Sequence, residues 1–404
     1  MVAWISCSTV RAETSPAHWQ IGTPITTYWA SPPITDAAAK LMREGGWNLI
    51  WCHENELDTA QKYGLRAMLI DGLISPQSLD NPDKKAQLDA LIERVKKHPA
   101  LYAYFITDEP NASAFPALGK LVAYLRERDP AHLGYINLFP TYANNEQLGT
   151  KGDTVTAYRE HLRQFIETVN PGLISYDHYH FQTGGADGPE YFLNLGMIRQ
   201  TALNAGVPFL NIVQASSWSP SMRVPNGNEL RWLAYTSLAY GAQGLSYYVY
   251  FYPHNHRGMM VHADGTPTDL YYAAKQINPE FVAIAAQLQP LKSLGAYHVG
   301  MVPPGAQPLP PDAGFSLEPP CQSVQFTSGK PVTGLVLGLF GKDTQPTHVV
   351  VVNLDYKKEI TTTLVARQPL DIFNPTNRAW TPADGSRARL NLLPGGGCLL
   401  RLRP

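Results

Sequence analysis

LYAYFITDEPNASAFPALGKLVAYL, residues 101–125, holds one whole unit of the fold. Its first six residues, Leu101 to Ile106, are all apolar or aromatic, the composition of a strand buried on both faces. Thr107, Asp108 and Glu109 end that run in polar groups, and Pro110, which has no N–H for a ladder, stops it. Beyond the turn, Leu118, Leu121, Val122 and Leu125 recur at i, i+3, i+4 and i+7, the period of a helix with one buried face. A strand that runs into such a helix needs a crossover to reach its neighbour, so the pairing it predicts is parallel.

The same unit repeats in both directions. Apolar runs predict strands at Ile21–Tyr28, Asn48–His53, Arg66–Asp71, Leu101–Glu109, His132–Phe139, Leu173–Phe181, Pro208–Ser216 and Gly244–Phe251. Helical spacing stands between most of them, as at Leu88, Leu91, Ile92 and Val95 and again at Leu162, Phe165, Ile166 and Val169. Gly45-Gly46 closes a helix that begins near Asp36, while the segment Asp58–Tyr63 is short. Eight parallel strands alternating with helices close most economically into an α/β (β/α)8 TIM barrel. The rival open doubly wound sheet lacks its usual motif, since no G-x-G-x-x-G follows any strand.

A further helix is expected over Leu270–Leu288, with Ile277, Phe281, Ile284 and Leu288 on one face. Residues 301–320 are dense in Pro and Gly and read as a linker or long loop. Short runs at Gly334–Phe340, His348–Leu354, Ile360–Val365 and Cys398–Leu402, separated by turn residues, suit a small all-β sandwich. The expected division is an N-terminal arm or signal remnant over 1–17, a catalytic barrel over 18–292 and a β-sandwich over 293–404.

The 404 residues include 44% hydrophobic and 16% charged side chains with a formal charge of −1, which suits a globular chain and offers no basic surface for nucleic acid or anionic membrane. No apolar stretch is long enough to span a bilayer. The opening MVAWISCSTVRAETS carries a short apolar run ending in small residues but no basic n-region, so a secreted or periplasmic and a cytoplasmic location are both compatible with it. Four cysteines are too few for a disulfide framework; Cys321 and Cys398 either pair or stay free.

In parallel barrels the working residues stand where strands end. These ends carry His53 and Glu54, then Asp71, then Asp108 and Glu109, then Asn137, then Asp177, His178, Tyr179 and His180, then Gln214 and Trp218, and finally Tyr247. Glu109 is the sharpest candidate. A carboxyl half-buried at the rim, beside Asp108, has its pKa raised, as a general acid near neutral pH requires. Trp29, Trp218, Tyr247 and Tyr250 offer rings on which sugar faces pack. His178 and His180 alternate on one strand and, with His53 and Glu54, define a possible metal set. No G-x-S-x-G elbow and no phosphate loop occurs.

With YFITDEP at its fourth strand end, GTPTDLYYAAKQIN at 265–278 and LLPGGGCLLRL at 392–402, the chain resembles the large clan of barrel glycoside hydrolases that contains families 2, 5 and 42, β-galactosidase-like members among them. The resemblance implies that Glu109 is the acid/base. It would place an Asn before it, where this chain has Asp108, and a nucleophilic Glu at the seventh strand end, where it has Gln214. A carboxamide cannot form a glycosyl-enzyme. Three explanations stay open: an engineered Glu-to-Gln change, a different carboxylate in an inverting arrangement, or sugar binding without cleavage. For the second, Asp177 is the favoured partner, with Asp71 and Glu54 in reserve.

The expectation is therefore a glycoside hydrolase acting on an oligo- or polysaccharide. Glu109 and Asp177 would be its carboxyls, with Gln214, Asp108, Asn137, His178, Tyr179, His180, Trp218, Tyr247, Trp29, His53, Glu54 and Asp71 around the sugar. No cofactor and no metal is expected. A non-catalytic carbohydrate-binding barrel and a metal-dependent barrel enzyme are the alternatives.

Overall fold

The computed structural model describes residues 19–403, so the arm expected over 1–17 lies outside the described residues. One sheet contains eight parallel strands: β1 (Ile25–Trp29), β2 (Leu49–Cys52), β3 (Arg66–Leu69), β4 (Leu101–Asp108), β5 (Leu133–Leu138), β6 (Ile174–His178), β7 (Phe209–Gln214) and β8 (Gly244–Tyr248). Their hydrogen-bonded order is β1-β8-β7-β6-β5-β4-β3-β2, so the sheet curls until its two ends meet. Asn48 fastens that seam. Its backbone N–H donates to the Thr26 carbonyl at 3.0 Å, and its side-chain oxygen accepts the Thr26 N–H at 3.1 Å. The chain adopts the (β/α)8 barrel its sequence pattern predicts.

Each strand is followed by a helix: α1 (Asp36–Glu44), α2 (Leu57–Lys62), α3 (Pro82–Val95), α4 (Phe115–Arg128), α5 (Thr154–Val169), α6 (Tyr191–Ala205), α7 (Gly227–Ala239) and α8 (Asp269–Leu288). In α4 the buried side chains include Leu118, Leu121, Val122 and Leu125, the spacing read from sequence. Thr35 caps α1 by accepting the Ala38 N–H, and Gly46 leaves it at φ +81°, a conformation that costs glycine little. Strand alternation divides the core. Ile25, Leu49, Met68, Ala103, Tyr135 and Ile212 pack together inside the barrel, while Tyr28, Ile50, Tyr104, Ile136 and Val213 belong to the shell under the helices. Among the described residues no helix is long and apolar enough to cross a membrane.

The C-terminal part forms a β-sandwich. Its strands are β9 (Lys292–Gly300), β10 (Phe315–Glu318), β11 (Gly334–Gly341), β12 (His348–Asn353), β13 (Ile360–Ala366), β14 (Leu370–Asn374), β15 (Ala379–Pro382), β16 (Arg387–Leu392) and β17 (Gly397–Leu402). One sheet runs β9-β11-β12-β17-β14-β15, with Gln307–Pro308 added beside β9, and the other runs β10-β13-β16. The expected linker over 301–320 thus contains part of the sandwich, because β10 pairs with β13. Strand β9 escaped the sequence reading because a register shift between Ser293 and Gly295 breaks its alternation.

The run Val349-Val350-Val351-Val352 is continuous because β12 is covered on both sides. Val349 and Val351 pack in the sandwich core, while Val350 and Val352 join the core of the barrel. Contact with α7 is close: a Cβ on Gly338 would lie 2.1 Å from the Ala239 carbonyl oxygen. Cys52, Cys321 and Cys398 are all free, so the pairing of Cys321 with Cys398 that sequence left open does not form.

Candidate active site

Strand β4 is irregular where it matters. Its register against β5 shifts between Phe105 and Thr107, after which Thr107 pairs with Ile136 and Asp108 with Asn137. In-register partners in a parallel pair share a face. The bulge therefore changes the parity of the strand, and Asp108 rather than Thr107 joins Asn137 on the inner side. The next residue would then turn away, but Glu109 adopts φ +43°. That left-handed conformation is costly for a glutamate and is typical of functional sites. Both consecutive carboxyls consequently line one cavity of about 170 Å³, with Trp29, Asn137, Asp177, Tyr179, Trp218 and Tyr248.

Asn137 organises the floor of that cavity. Its Nδ2 donates to Asp108 Oδ1 at 3.0 Å and to Asp177 Oδ1 at 2.9 Å. Its Oδ1 accepts from Ser175 Oγ at 2.9 Å, and Ser175 in turn stands 2.6 Å from the Tyr135 hydroxyl, which then donates. With both amide hydrogens committed, the amide orientation is fixed by its partners.

Burial raises the pKa of all three carboxyls. Burial, reinforced by the Asp108 charge and opposed by a hydrogen bond from Asp177, raises Glu109 to about 7. Asp177 is buried and pushed well above the carboxylate range by burial and then by the Glu109 charge. Asp108 is raised by burial and held back by the Asn137 hydrogen bond. No basic group contributes to any of the three shifts. Asp177 and Glu109 are in hydrogen-bonding contact. Neither the spacing of about 5–5.5 Å for a retaining pair nor that of about 6.5–9.5 Å for an inverting pair describes such a contact. The gap for a water expected between Glu109 and Asp177 is absent, because Asp177 reaches Glu109 directly.

Aromatic rings wall the cavity. Tyr179, Trp218 and Tyr248 stand 4.6–5.1 Å apart, centroid to centroid. His256 stacks on Trp218 at 5.9 Å. Trp29 leans on Trp51 and Phe105. A larger cavity of about 570 Å³ shares Glu109, Asp177, Tyr179 and Trp218 and extends over Tyr142, His178, Gln182 and Glu190.

Other residues singled out from sequence lie elsewhere. Gln214 is fully buried and clamped: Oε1 accepts the Phe181 N–H at 2.8 Å, and Nε2 donates to the carbonyls of Phe181 at 3.1 Å and Arg223 at 2.8 Å, with Ser216 at 3.4 Å. It lines neither cavity. Tyr247 packs behind the barrel wall, its hydroxyl donating to Asn278 of α8 at 2.9 Å. His180 stacks on Trp232 at 4.9 Å, away from both cavities. His178 lines the larger one but is held by Asn194 at 3.0 Å and kept neutral by burial, its pKa lowered to about 3. His53 faces the Ile70 carbonyl at 3.0 Å, Glu54 pairs with Arg94 at 2.7 Å, and Asp71 accepts the Leu73 N–H at 2.8 Å. The set His53, Glu54, His178 and His180 does not converge, and among the described residues no group of three or more His, Cys, Asp or Glu is arranged to hold a metal ion.

No protein-family model matches the chain, and no curated protein matches it. Solved structures do. A β-galactosidase from the psychrophilic Marinomonas ef1 superposes with a TM-score of 0.50 at 12% identity over 69% of this chain and 63% of its own, so this chain spans less than two thirds of that enzyme. A structure described as a glycoside hydrolase matches with a TM-score of 0.50 at 14% identity over 93% of this chain and 91% of its own. A family 5 glycoside hydrolase from Bacteroides vulgatus ATCC 8482 matches with a TM-score of 0.50 at 12% identity over 93% of this chain and 88% of its own. The latter two matches extend over barrel and sandwich together. At these identities the likeness is one of fold, and the chemistry rests on the side chains.

Three side chains at the site were not selected from sequence. Tyr248 stands in register with Trp29 and Gln214. Parity along β8, with the small polar Ser246 two residues earlier, is the signal that favours it over Tyr247. Asn194 accepts the Thr141 N–H at 3.0 Å and contacts His178, tying α6 to the ends of β5 and β6. Glu190 lines the larger cavity with a buried Oε2 that has no hydrogen-bond partner; being next to α6 gave it no sequence signature.

Proposed function

We propose that the chain is a glycoside hydrolase that cleaves O-glycosidic bonds of an oligo- or polysaccharide, with Glu109 as the general acid. One observation carries the reading: a carboxyl at the barrel mouth, held by burial at a pKa of about 7, opens into a cavity walled by aromatic rings. At neutral pH such a group is both protonated often enough to donate and acidic enough to release its proton to a leaving oxygen. Trp218, Tyr179, Tyr248 and Trp29 supply apolar faces for a sugar ring, and Asp108, held in place by Asn137, supplies a hydrogen-bonding group for its hydroxyls or substituents. Asp177 acts on Glu109 rather than on the sugar: its hydrogen bond to the Glu109 carboxyl opposes the rise that burial causes. Gln214 serves as a scaffold for the loops after β6 and β7.

The test is hydrolysis of a broad glycan panel by the whole chain and by Glu109→Gln, with product anomers followed by NMR. Hydrolysis that falls by about 100-fold or more in the variant supports the assignment. Hydrolysis that survives the substitution removes Glu109 from the role.

A further inference from the structure

We infer that the substrate is a 1,2-trans N-acetylhexosaminide whose own 2-acetamido oxygen is the nucleophile, with Asp108 holding the acetamido N–H and Glu109 protonating the leaving oxygen. The inference rests on the glycosidase reading and names its substrate class.

The enzyme-borne nucleophile is what the cavity lacks. Gln214 is uncharged and clamped by four backbone groups. Asp177 is hydrogen-bonded to Glu109 itself, so it does not stand apart from the acid across the anomeric carbon. Asp108 is adjacent to Glu109 in the chain, on the same wall, and two neighbouring groups cannot stand on opposite faces of one sugar carbon. What the fold builds instead, through the β4 bulge and the left-handed Glu109, is a side-by-side Asp–Glu pair in one cavity. That arrangement serves a nucleophile that arrives with the substrate, beside the bond to be broken.

The details of Asp108 fit the role. Asn137 donates to its Oδ1 at 3.0 Å, which fixes the carboxylate and leaves Oδ2 free for a second N–H. Of the three residues it is the most exposed. The rings of Tyr179, Trp218 and Tyr248 give an apolar seat for the acetamido methyl. In the first step the acetamido carbonyl oxygen bonds to C1 while the C1–O bond to the leaving group breaks. The leaving oxygen takes the Glu109 proton, and Asp108 takes the amide proton as an oxazoline forms. In the second step water bonds to C1 and gives a proton to Glu109. The C1–O bond of the oxazoline breaks, and Asp108 returns the proton to nitrogen. The product keeps the configuration of the substrate.

The experiment compares aryl β-N-acetylglucosaminide and β-N-acetylgalactosaminide with the aryl β-glucoside and β-galactoside, on the whole chain, Asp108→Asn and Glu190→Gln. Binding of an N-acetylglucosamine-derived thiazoline, a stable mimic of the cyclised intermediate, is measured by calorimetry on the same proteins. The expected result is retaining hydrolysis of an acetamido substrate with the matching hexoside slower by about 100-fold or more, a similar loss in Asp108→Asn, and thiazoline binding that Asp108→Asn weakens. Hydrolysis of the plain hexosides at comparable rate, inversion of configuration, or loss of activity in Glu190→Gln but not in Asp108→Asn overturns the inference while leaving a glycosidase. Absence of both thiazoline binding and hydrolysis across the entire glycan panel overturns the glycosidase reading as well.

Discussion

Replacing Glu109 by glutamine removes a group that burial forces to keep its proton, and the penalty for losing that proton is measurable as stability. The folded chain holds the Glu109 carboxyl at about 7 against an ordinary 4.5, through burial first and the Asp108 charge second. A folded-state pKa raised above the unfolded value means that the stability attached to the proton is complete below about pH 4.5 and is lost as pH rises through about 7. The full shift corresponds to about 3 kcal/mol. Partial solvent exposure and the hydrogen bond with Asp177 reduce the part that one substitution recovers to about 1–2 kcal/mol. Glutamine never ionises. Glu109→Gln should therefore match the parent at about pH 4 and exceed it by about 1–2 kcal/mol at about pH 8, while hydrolysis is lost. Urea unfolding followed by tryptophan fluorescence at both pH values measures the difference. A variant no more stable than the parent at the higher pH would refute the argument that burial keeps the proton on Glu109, and with it the physical basis for its role as acid.

Three other substitutions test the surroundings. Gln214→Glu sets a carboxylate against the carbonyls of Phe181, Ser216 and Arg223; it should cost about 2–4 kcal/mol, more at high pH than at low, and should gain no hydrolysis. A stable variant that acquires retaining hydrolysis of plain hexosides would overturn the scaffold role of Gln214. Asn137→Ala removes the donors that hold down both Asp108 and Asp177, so the acidic limb of the pH–rate profile should move to higher pH; an unmoved limb contradicts the electrostatic role. Tyr356→Phe deletes the hydroxyl that donates to both Asp187 oxygens, at 3.1 and 2.9 Å, and should cost about 1–2 kcal/mol in urea unfolding, with an unchanged midpoint as the contrary result.

The residues that were legible in sequence are those whose meaning is local. The unit from Leu101 to Leu125 shows strand, strand end and helix within one window, and the rise in the Glu109 pKa follows from a carboxyl placed at the end of an apolar strand. What sequence left undecided depends on register or on distant chain. The choice between Tyr247 and Tyr248 turns on a one-residue parity, hinted at by Ser246 and fixed by the pairing of β8 with β1. The contact between Glu109 and Asp177 needs the β4 bulge and a left-handed residue, neither of which has a composition signal where no glycine marks it. Gln214 resembles a nucleophile with its charge deleted until the backbone groups of residues 181 and 223, far from it in sequence, fill every site on its amide.

The sandwich connects to the candidate site through that same amide. Tyr356 lies beyond β12 and reaches back to Asp187, in the loop after β6. Asp187 is 3.6 Å from Arg223, whose side chain also pairs with Glu229 of α7 at 2.7 Å and covers the Phe181 ring. The backbone carbonyls of Arg223 and Phe181 hold Gln214, and the loop that begins at Phe181 continues through Gln182, Gly188 and Glu190 as a wall of the larger cavity. That wall borders the cavity that Glu109 and Asp177 also line, and burial is the largest cause of their raised pKa values. A sandwich that only stabilised the chain would not need a tyrosine seated on a buried aspartate of the barrel. Because it supports a wall of the cavity that the acid lines, loosening it should lower the pKa of Glu109 before it unfolds the barrel. The basic limb of the pH–rate profile of Tyr356→Phe should therefore move to lower pH, and a limb that stays in place would confine the sandwich to a packing role.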